Sequence, residues 1–176
     1  MNKISIRKKF TVEEIPHNKA SSLIKQFHYS KGSSNTSVFS FGILDNLTLV
    51  GSCLWMPSVC GTAIKYDKEN PGRVLTLSRF VLIDGLPKNT ASFFLGKCIK
   101  EIKAKNYYSF LVTYADLRLN HSGTIYRATN WIYDGLTKPY YCWIDDDGRM
   151  VSRKSTENKT VKFMNNNYLR VGPFSK

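Results

Sequence analysis

Hydrophobic positions along the chain change their period several times, and each change predicts an element. Residues 37–44 and 47–55 are apolar, β-branched or aromatic runs separated at Asp45-Asn46, a pattern that predicts two strands joined as a hairpin. Residues 73–83, RVLTLSRFVLI, predict a longer strand. After the turn Asp84-Gly85-Leu86-Pro87-Lys88 the period lengthens. Ala91, Phe94, Leu95, Cys98, Ile99 and Ile102 form an apolar stripe with Lys97, Lys100, Glu101 and Lys103 opposite, a helix with Asn89 as its N-cap. Gly96 inside it suggests a close helix–sheet approach. Residues 110–114 have the makeup of a buried strand, and Ile125, Ala128, Thr129 and Ile132 lie on one face of a helix over 124–133 that Gly135 would cap. Upstream, Ile4-Ser5-Ile6 predicts an edge strand, and Ala20, Leu23, Ile24 and Phe27 predict a helix over 18–27. Residues 56–72, broken by Pro57, Gly61, Pro71 and Gly72, read as an irregular loop. Residues 140–144 read as a strand. Asp145-Asp146-Asp147-Gly148 reads as a solvated turn, since the calcium-loop spacing is absent.

The resulting order, β–α–β–β–loop–β–α–β–α–β, predicts an α/β fold. The hairpin demands antiparallel pairing, and the β-α-β unit over 73–114 demands a parallel crossover. One mixed, mostly antiparallel sheet flanked by helices follows, as a single domain over 1–176 with its core in about 1–150 and a basic extension at 151–176. Ligands in such folds bind beyond the carboxyl ends of the strands. The polar link 115–123 sits there, which makes Asp116 a carboxylate of chemical interest. The first amides of the helix beginning near Asn89, around Thr90, Ala91 and Ser92, favour a phosphate.

Charge sharpens this picture. Against 13 Asp and Glu stand 26 Lys and Arg, a formal +13 on 176 residues, which attracts nucleic acid, an anionic surface or a phosphorylated cofactor. The 42% hydrophobic content excludes a disordered chain. Cys53, Cys60, Cys98 and Cys142 have no C-x-x-C spacing, and with no leader-like apolar run they read as reduced thiols of a cytoplasmic protein. No run approaches the ~18 apolar residues of a membrane span. Arg79 stands amid Leu75, Leu77, Phe80, Val81 and Leu82; it either points outward or pairs with a carboxylate, or else lines a substrate cleft as a cation. His28 is either a cation at a helix C-terminus or, with Tyr29 and Lys31, part of an aromatic and basic loop suited to a base beside a phosphate. Tyr66 lies with Lys65 in the 56–72 loop.

The element order resembles the GNAT acyltransferase fold, although Asp84–Thr90 replaces that superfamily's glycine-rich pyrophosphate loop. A more specific resemblance lies in Tyr114-Ala115-Asp116 followed by His121-Ser122-Gly123-Thr124-Ile125-Tyr126-Arg127-Ala128-Thr129-Asn130-Trp131-Ile132-Tyr133. With Phe27-His28-Tyr29-Ser30, Leu77-Ser78-Arg79 and Leu86-Pro87-Lys88-Asn89-Thr90-Ala91-Ser92, in that family's order, these blocks resemble the phage Mom-like DNA-modification proteins over about residues 25–145. Thr76 stands where such proteins often carry a glutamate, and Ser152-Arg153 where they tend to carry a His-Arg pair. The resemblance implies conversion of adenine in double-stranded DNA to N6-carbamoylmethyladenine, protecting phage DNA from restriction. It further implies Asp116 and Tyr126 as catalytic groups, with Arg79 beside them. Ser92, Asn89, Thr90 and Ala91 would hold an acyl-CoA-type or other small donor. His28, Tyr29, Lys31, Tyr66 and Tyr133 would contact DNA, because a base must leave its duplex to react and aromatic rings can hold it. Trp131 is assigned mostly to the core. A His28–Asp116 metal pair lacks an evident third ligand. The alternatives are an acyl-CoA-dependent N-acyltransferase acting on a small amine or a hypermodified base, and a non-catalytic DNA-binding module.

Overall fold

A computed structural model describes residues 5–30, 34–117, 121–138, 140–144, 150–151 and 169–174. Contacts divide the chain into two compact units, Met1–Tyr114 with Ile125–Trp131, and Ala115–Thr124 with Ile132–Lys176.

The first unit is a five-stranded sheet in the order β1-β2-β3-β4-β5: Phe10–Glu14, Phe39–Asp45, Thr48–Pro57, Val74–Leu82 and Phe110–Thr113. The β1–β2, β2–β3 and β3–β4 pairings are antiparallel and β4–β5 is parallel. The predicted hairpin forms, with Asp45 opposite Thr48 and Asn46 at φ 55. Asparagine tolerates that left-handed backbone, which matches the right-handed twist of the flanking strands. Helix α4 (Thr90–Ala104) makes the crossover from β4 to β5 that parallel pairing requires.

Both faces of the sheet are covered. On one, Phe41, Ile43, Cys53, Trp55, Leu75 and Leu77 pack with Phe94, Leu95, Cys98 and Ile102 of α4. On the other, Leu54 and Val81 pack with Ile15 and with Ala20 and Ile24 of α2 (His17–Phe27). Each such aliphatic or aromatic side chain contributes about 1.5–3 kcal/mol by leaving water. Strand β3 is therefore buried on both faces, which is why residues 47–55 read as continuous rather than alternating hydrophobics. Its Gly51 is required by space: a Cβ there would lie 2.3 Å from Leu82 Cδ2 and 2.8 Å from the Val81 carbonyl oxygen.

Several local expectations give way to tertiary packing. Residues Ile6–Lys9 form the short helix α1 rather than a strand, with the Lys8 and Lys9 amides donating to the Ser5 carbonyl; β1 begins only where Phe10 is buried. The loop 56–72 contains α3 (Cys60–Tyr66) and a 3₁₀ turn (Pro71–Arg73). Ala63 is the one residue α3 buries, too little to leave a period in the sequence. Gly96 marks no close approach: a Cβ there meets nothing within 4 Å.

The helix predicted over 124–133 stops early, as α5 (Thr124–Arg127). The Thr129 hydroxyl donates back to the Ile125 and Tyr126 carbonyls, Asn130 adopts φ 61, and the Trp131 amide closes on Tyr126. Ile132, placed on the buried stripe by its spacing, is 93% exposed. The second unit carries a three-stranded antiparallel sheet in the order β7-β6-β8, built from β6 (Tyr140–Ile144), β7 (Met150–Val151) and β8 (Leu169–Phe174). The turn at 145–148 lies outside the described residues.

Candidate active site

The sheet of the first unit parts where β5 ends. Val74–Leu77 of β4 pair with Phe110–Thr113, but β4 continues to Leu82 without β5 beside it. On its other edge β4 carries a bulge against β3: Leu54 faces Arg79 and Trp55 faces Leu77, leaving Ser78 extra. A bulge re-aims side chains and raises local twist. The Ser78 hydroxyl donates to the Leu54 carbonyl at 3.2 Å and steadies the distortion.

Beside the parting stands a ring of aromatic and polar groups. Trp55, Leu77 and Thr113 form one row across β3, β4 and β5. Directly paired residues share a face, so all three side chains look toward the α4 side. Trp131 stacks on Trp55 with ring centroids 6.3 Å apart and planes 17° from parallel, and Tyr126 meets Trp131 edge-on at 5.8 Å. Burial pushes the Tyr126 phenol above its ordinary value, and the Thr113 hydroxyl opposes that rise weakly. Thr113 influences the phenol by proximity, but the two do not reach the geometry of a full hydrogen bond, since Thr113 Oγ1 is left unpartnered.

Arg79 lies two residues past Leu77, the last β4 residue paired with β5; it is half-buried, and one guanidinium N–H donates to the Ser78 carbonyl at 2.7 Å. Its strand neighbour Phe80 packs on Phe94 of α4, so alternation turns Arg79 to the α2 side, across from Leu54. Asn89, Thr90, Ala91 and Ser92 gather at the start of α4, on the opposite face from Arg79. Asn89 does not cap with its side chain; it adopts φ 70 and accepts the Ser92 hydroxyl on its carbonyl, while the Thr90 hydroxyl donates to the Pro87 carbonyl.

His28 closes α2. Its amide donates to the Ile24 carbonyl, and Nδ1 accepts the Ser30 amide at 3.2 Å and contacts the Ser30 hydroxyl at 2.9 Å. With the Ser30 amide donating to Nδ1, the tautomer that this hydrogen bond favours carries its proton on Nε2. Tyr29 rests on its ring at 4.2 Å and is 50% exposed, whereas His28 is buried. Lys31 lies outside the described residues. Tyr66 packs against the small cluster of Ala63, Val74 and Val112 and against Phe110, with Lys65 Nζ over its ring. In the second unit Asp116 is 3% exposed and accepts the His121 amide on its carbonyl, and Tyr133 is exposed. Among the described residues no group of three His, Cys, Asp or Glu could hold a metal, and no helix is long and apolar enough to cross a membrane.

The model of the Mom protein family matches residues 9–174, both sheets included. The chain belongs to the Mom protein family. It is 27% identical over 145 residues to the methylcarbamoylase mom of Escherichia phage Mu. That match covers 80% of this chain and 59% of the phage Mu protein, so the Mom-family chain spans about three fifths of this relative. Its fold is similar to an aminoglycoside acetyltransferase from an uncultured soil metagenomic sample in complex with sisomicin, at 12% identity and TM-score 0.55, covering 77% of this chain and 97% of that one. It is also similar to the ribosomal-protein-S5-alanine acetyltransferase from Vibrio fischeri, at 13% identity and TM-score 0.53, covering 75% and 84%. The fold is thus GNAT-like, a mixed, mostly antiparallel sheet flanked by helices, as the element order predicted.

Strand β4 runs on past the end of β5, and α4 opens on Asn89 at φ 70, with the Thr90 amide donating to the Pro87 carbonyl. Sequence reading did not single out Trp55 or Thr113. Each reads as an ordinary strand residue, and only strand register brings them beside Tyr126 and Trp131.

Proposed function

We propose that this Mom-family chain is a transferase that places a carbamoylmethyl group on the exocyclic amine of adenine in double-stranded DNA. The observation that carries this reading is the family match over 9–174, with a relative named as a methylcarbamoylase. The formal charge of +13 supports a DNA substrate, because phosphate neutralisation dominates duplex affinity. In the reaction a bond forms between the adenine N6 and the methylene carbon of the group. The leaving group departs from that carbon and N6 loses a proton.

Asp116 is the proposed acceptor of that proton. Adenine's amine is conjugated with its ring and weakly nucleophilic, so a carboxylate base contributes only when positioning is tight. Tyr126 keeps its proton well into the alkaline range and is the proposed acid toward the leaving group. Arg79 and the start of α4, Asn89 to Ser92, are proposed to hold the anionic part of the donor from opposite faces of the sheet. His28, Tyr29, Lys31, Tyr66 and Tyr133 are the proposed contacts to DNA. An acyl-CoA-type donor is activated at its thioester carbonyl and would not by itself supply a methylene carbon bearing a leaving group. Transfer of a plain acetyl group would leave an amide on N6, so the donor must be activated at the carbon next to its carboxamide.

Plasmid DNA from cells making the protein is expected to resist restriction enzymes whose sites contain adenine, with the block absent for Asp116→Asn. Full digestion of DNA from cells holding soluble wild-type protein would contradict the reading. Acetylation of a small amine, unaffected by added DNA, would replace it with the conventional N-acyltransferase that the GNAT-like fold also supports.

A further inference from the structure

Buried polar atoms in folded proteins are nearly always hydrogen-bonded, and an orphan calls for a guest or a function. Among the described residues the buried side-chain nitrogens and oxygens without a partner are Trp55 Nε1, Trp131 Nε1 and Thr113 Oγ1. All three belong to the ring beside the strand parting. Trp55 and Trp131 stack on each other, Thr113 shares Trp55's row with Leu77 between them, and Tyr126 touches Trp131 and is influenced by Thr113. Unsatisfied groups scattered by imperfect packing would not collect in one cluster. The backbone is also shaped to produce it: Asn130 takes a left-handed φ of 61, and the next residue, Trp131, comes back onto Trp55.

The chemistry of the orphans specifies the guest. An indole N–H only donates, and a threonine hydroxyl donates or accepts. The ring contacts and the strand row include no cation and no carboxylate, and burial keeps the Tyr126 phenol neutral. A carboxylate guest would bring an unpaired charge into an apolar surround, at a cost far above that of a neutral group. A primary carboxamide answers each requirement: its carbonyl oxygen has two lone pairs for N–H donors, and its NH₂ donates to a hydroxyl. We propose that Trp55, Trp131 and Thr113 form a binding site for a neutral carboxamide, the end of the transferred group that does not react. Resting on the function proposed above, this assigns a specificity role to residues that touch the group and leaves the bond-making to others. It explains how a transferase would select a carboxamide-bearing donor over the acetyl donor of the fold, whose methyl end offers nothing to three hydrogen-bonding atoms.

Orphans kept for a ligand weaken the free protein, which gives a readout independent of turnover. Thr113→Val deletes one orphan while keeping the side chain's shape, and is expected to raise the melting temperature of the free protein by about 2–4 °C. Glycinamide serves as the probe, followed through the indole N–H resonances of Trp55 and Trp131 in ¹⁵N-labelled protein. Saturable shifts of both are expected with glycinamide, with none from glycine, and binding about tenfold weaker in Thr113→Val. Indole resonances indifferent to glycinamide, with water cross-peaks showing that bound water satisfies them, would overturn the proposal. So would a Thr113→Val protein that melts lower and binds the probe unchanged. If wild-type protein modifies DNA yet its indoles ignore the probe, this inference fails alone. If the indoles respond but no DNA is modified, the carboxamide site stands and the DNA reading fails.

Discussion

At the scale of single residues, Tyr126 makes a prediction about pH. Burial raises its phenol above the ordinary ~10, while the unfolded chain releases that proton at ~10. Above that pH the unfolded state binds fewer protons than the folded one, so stability falls as pH rises from ~10 through the folded value, and is unaffected by this group below it. Tyr108, raised by burial and by Tyr107, adds an effect of the same sign. Denaturant midpoints between pH 8 and 11 are expected to drop less steeply for Tyr126→Phe than for the wild type; identical slopes would contradict the assignment. The residues themselves were partly legible. The polar step after an apolar strand singled out Asp116, and its burial was not visible there. Tyr126 was carried by its family block, but its neighbours Trp55 and Thr113 depend on a strand register that no local window records.

At the scale of elements, strands and long helices were readable because each buries a whole face. Helix α4 follows its apolar stripe from Thr90 to Ala104, and β4 differs from its expectation by one residue at each end. The errors cluster where an element buries little, as at α1 and α3, or where side-chain hydrogen bonds end it, as Thr129 ends α5. Two glycines separate packing from propensity. Gly51→Ala must push the Leu82 side chain and meet the Val81 carbonyl, and is expected to cost about 1–3 kcal/mol. Gly96→Ala meets nothing and should stabilise α4 by about 0.5–1 kcal/mol. Urea midpoints shifting in opposite directions would bear this out, and a loss at Gly96 would show a contact that the packing does not contain.

At the scale of the whole molecule, the fold was legible because a hairpin followed by a β-α-β crossover admits few topologies, while of the second unit's sheet only β6 was legible, since β8 lies in the stretch read as a basic extension. Charge is also a property of the whole chain. With +13 overall, duplex affinity is expected to fall between 50 and 200 mM salt with a log–log slope of about −0.9 for each phosphate neutralised. Fluorescence anisotropy against a labelled duplex measures it, and a flat profile would remove DNA as the polyanion. The central claim concerns what is done to that DNA. Nucleoside mass spectrometry on plasmid from cells expressing the wild type or Asp116→Asn tests it most directly. The expected result is a deoxyadenosine heavier by one carbamoylmethyl group in the wild type and its absence in a folded, soluble Asp116→Asn protein. Unmodified deoxyadenosine from both, with the wild type soluble and abundant, would contradict it.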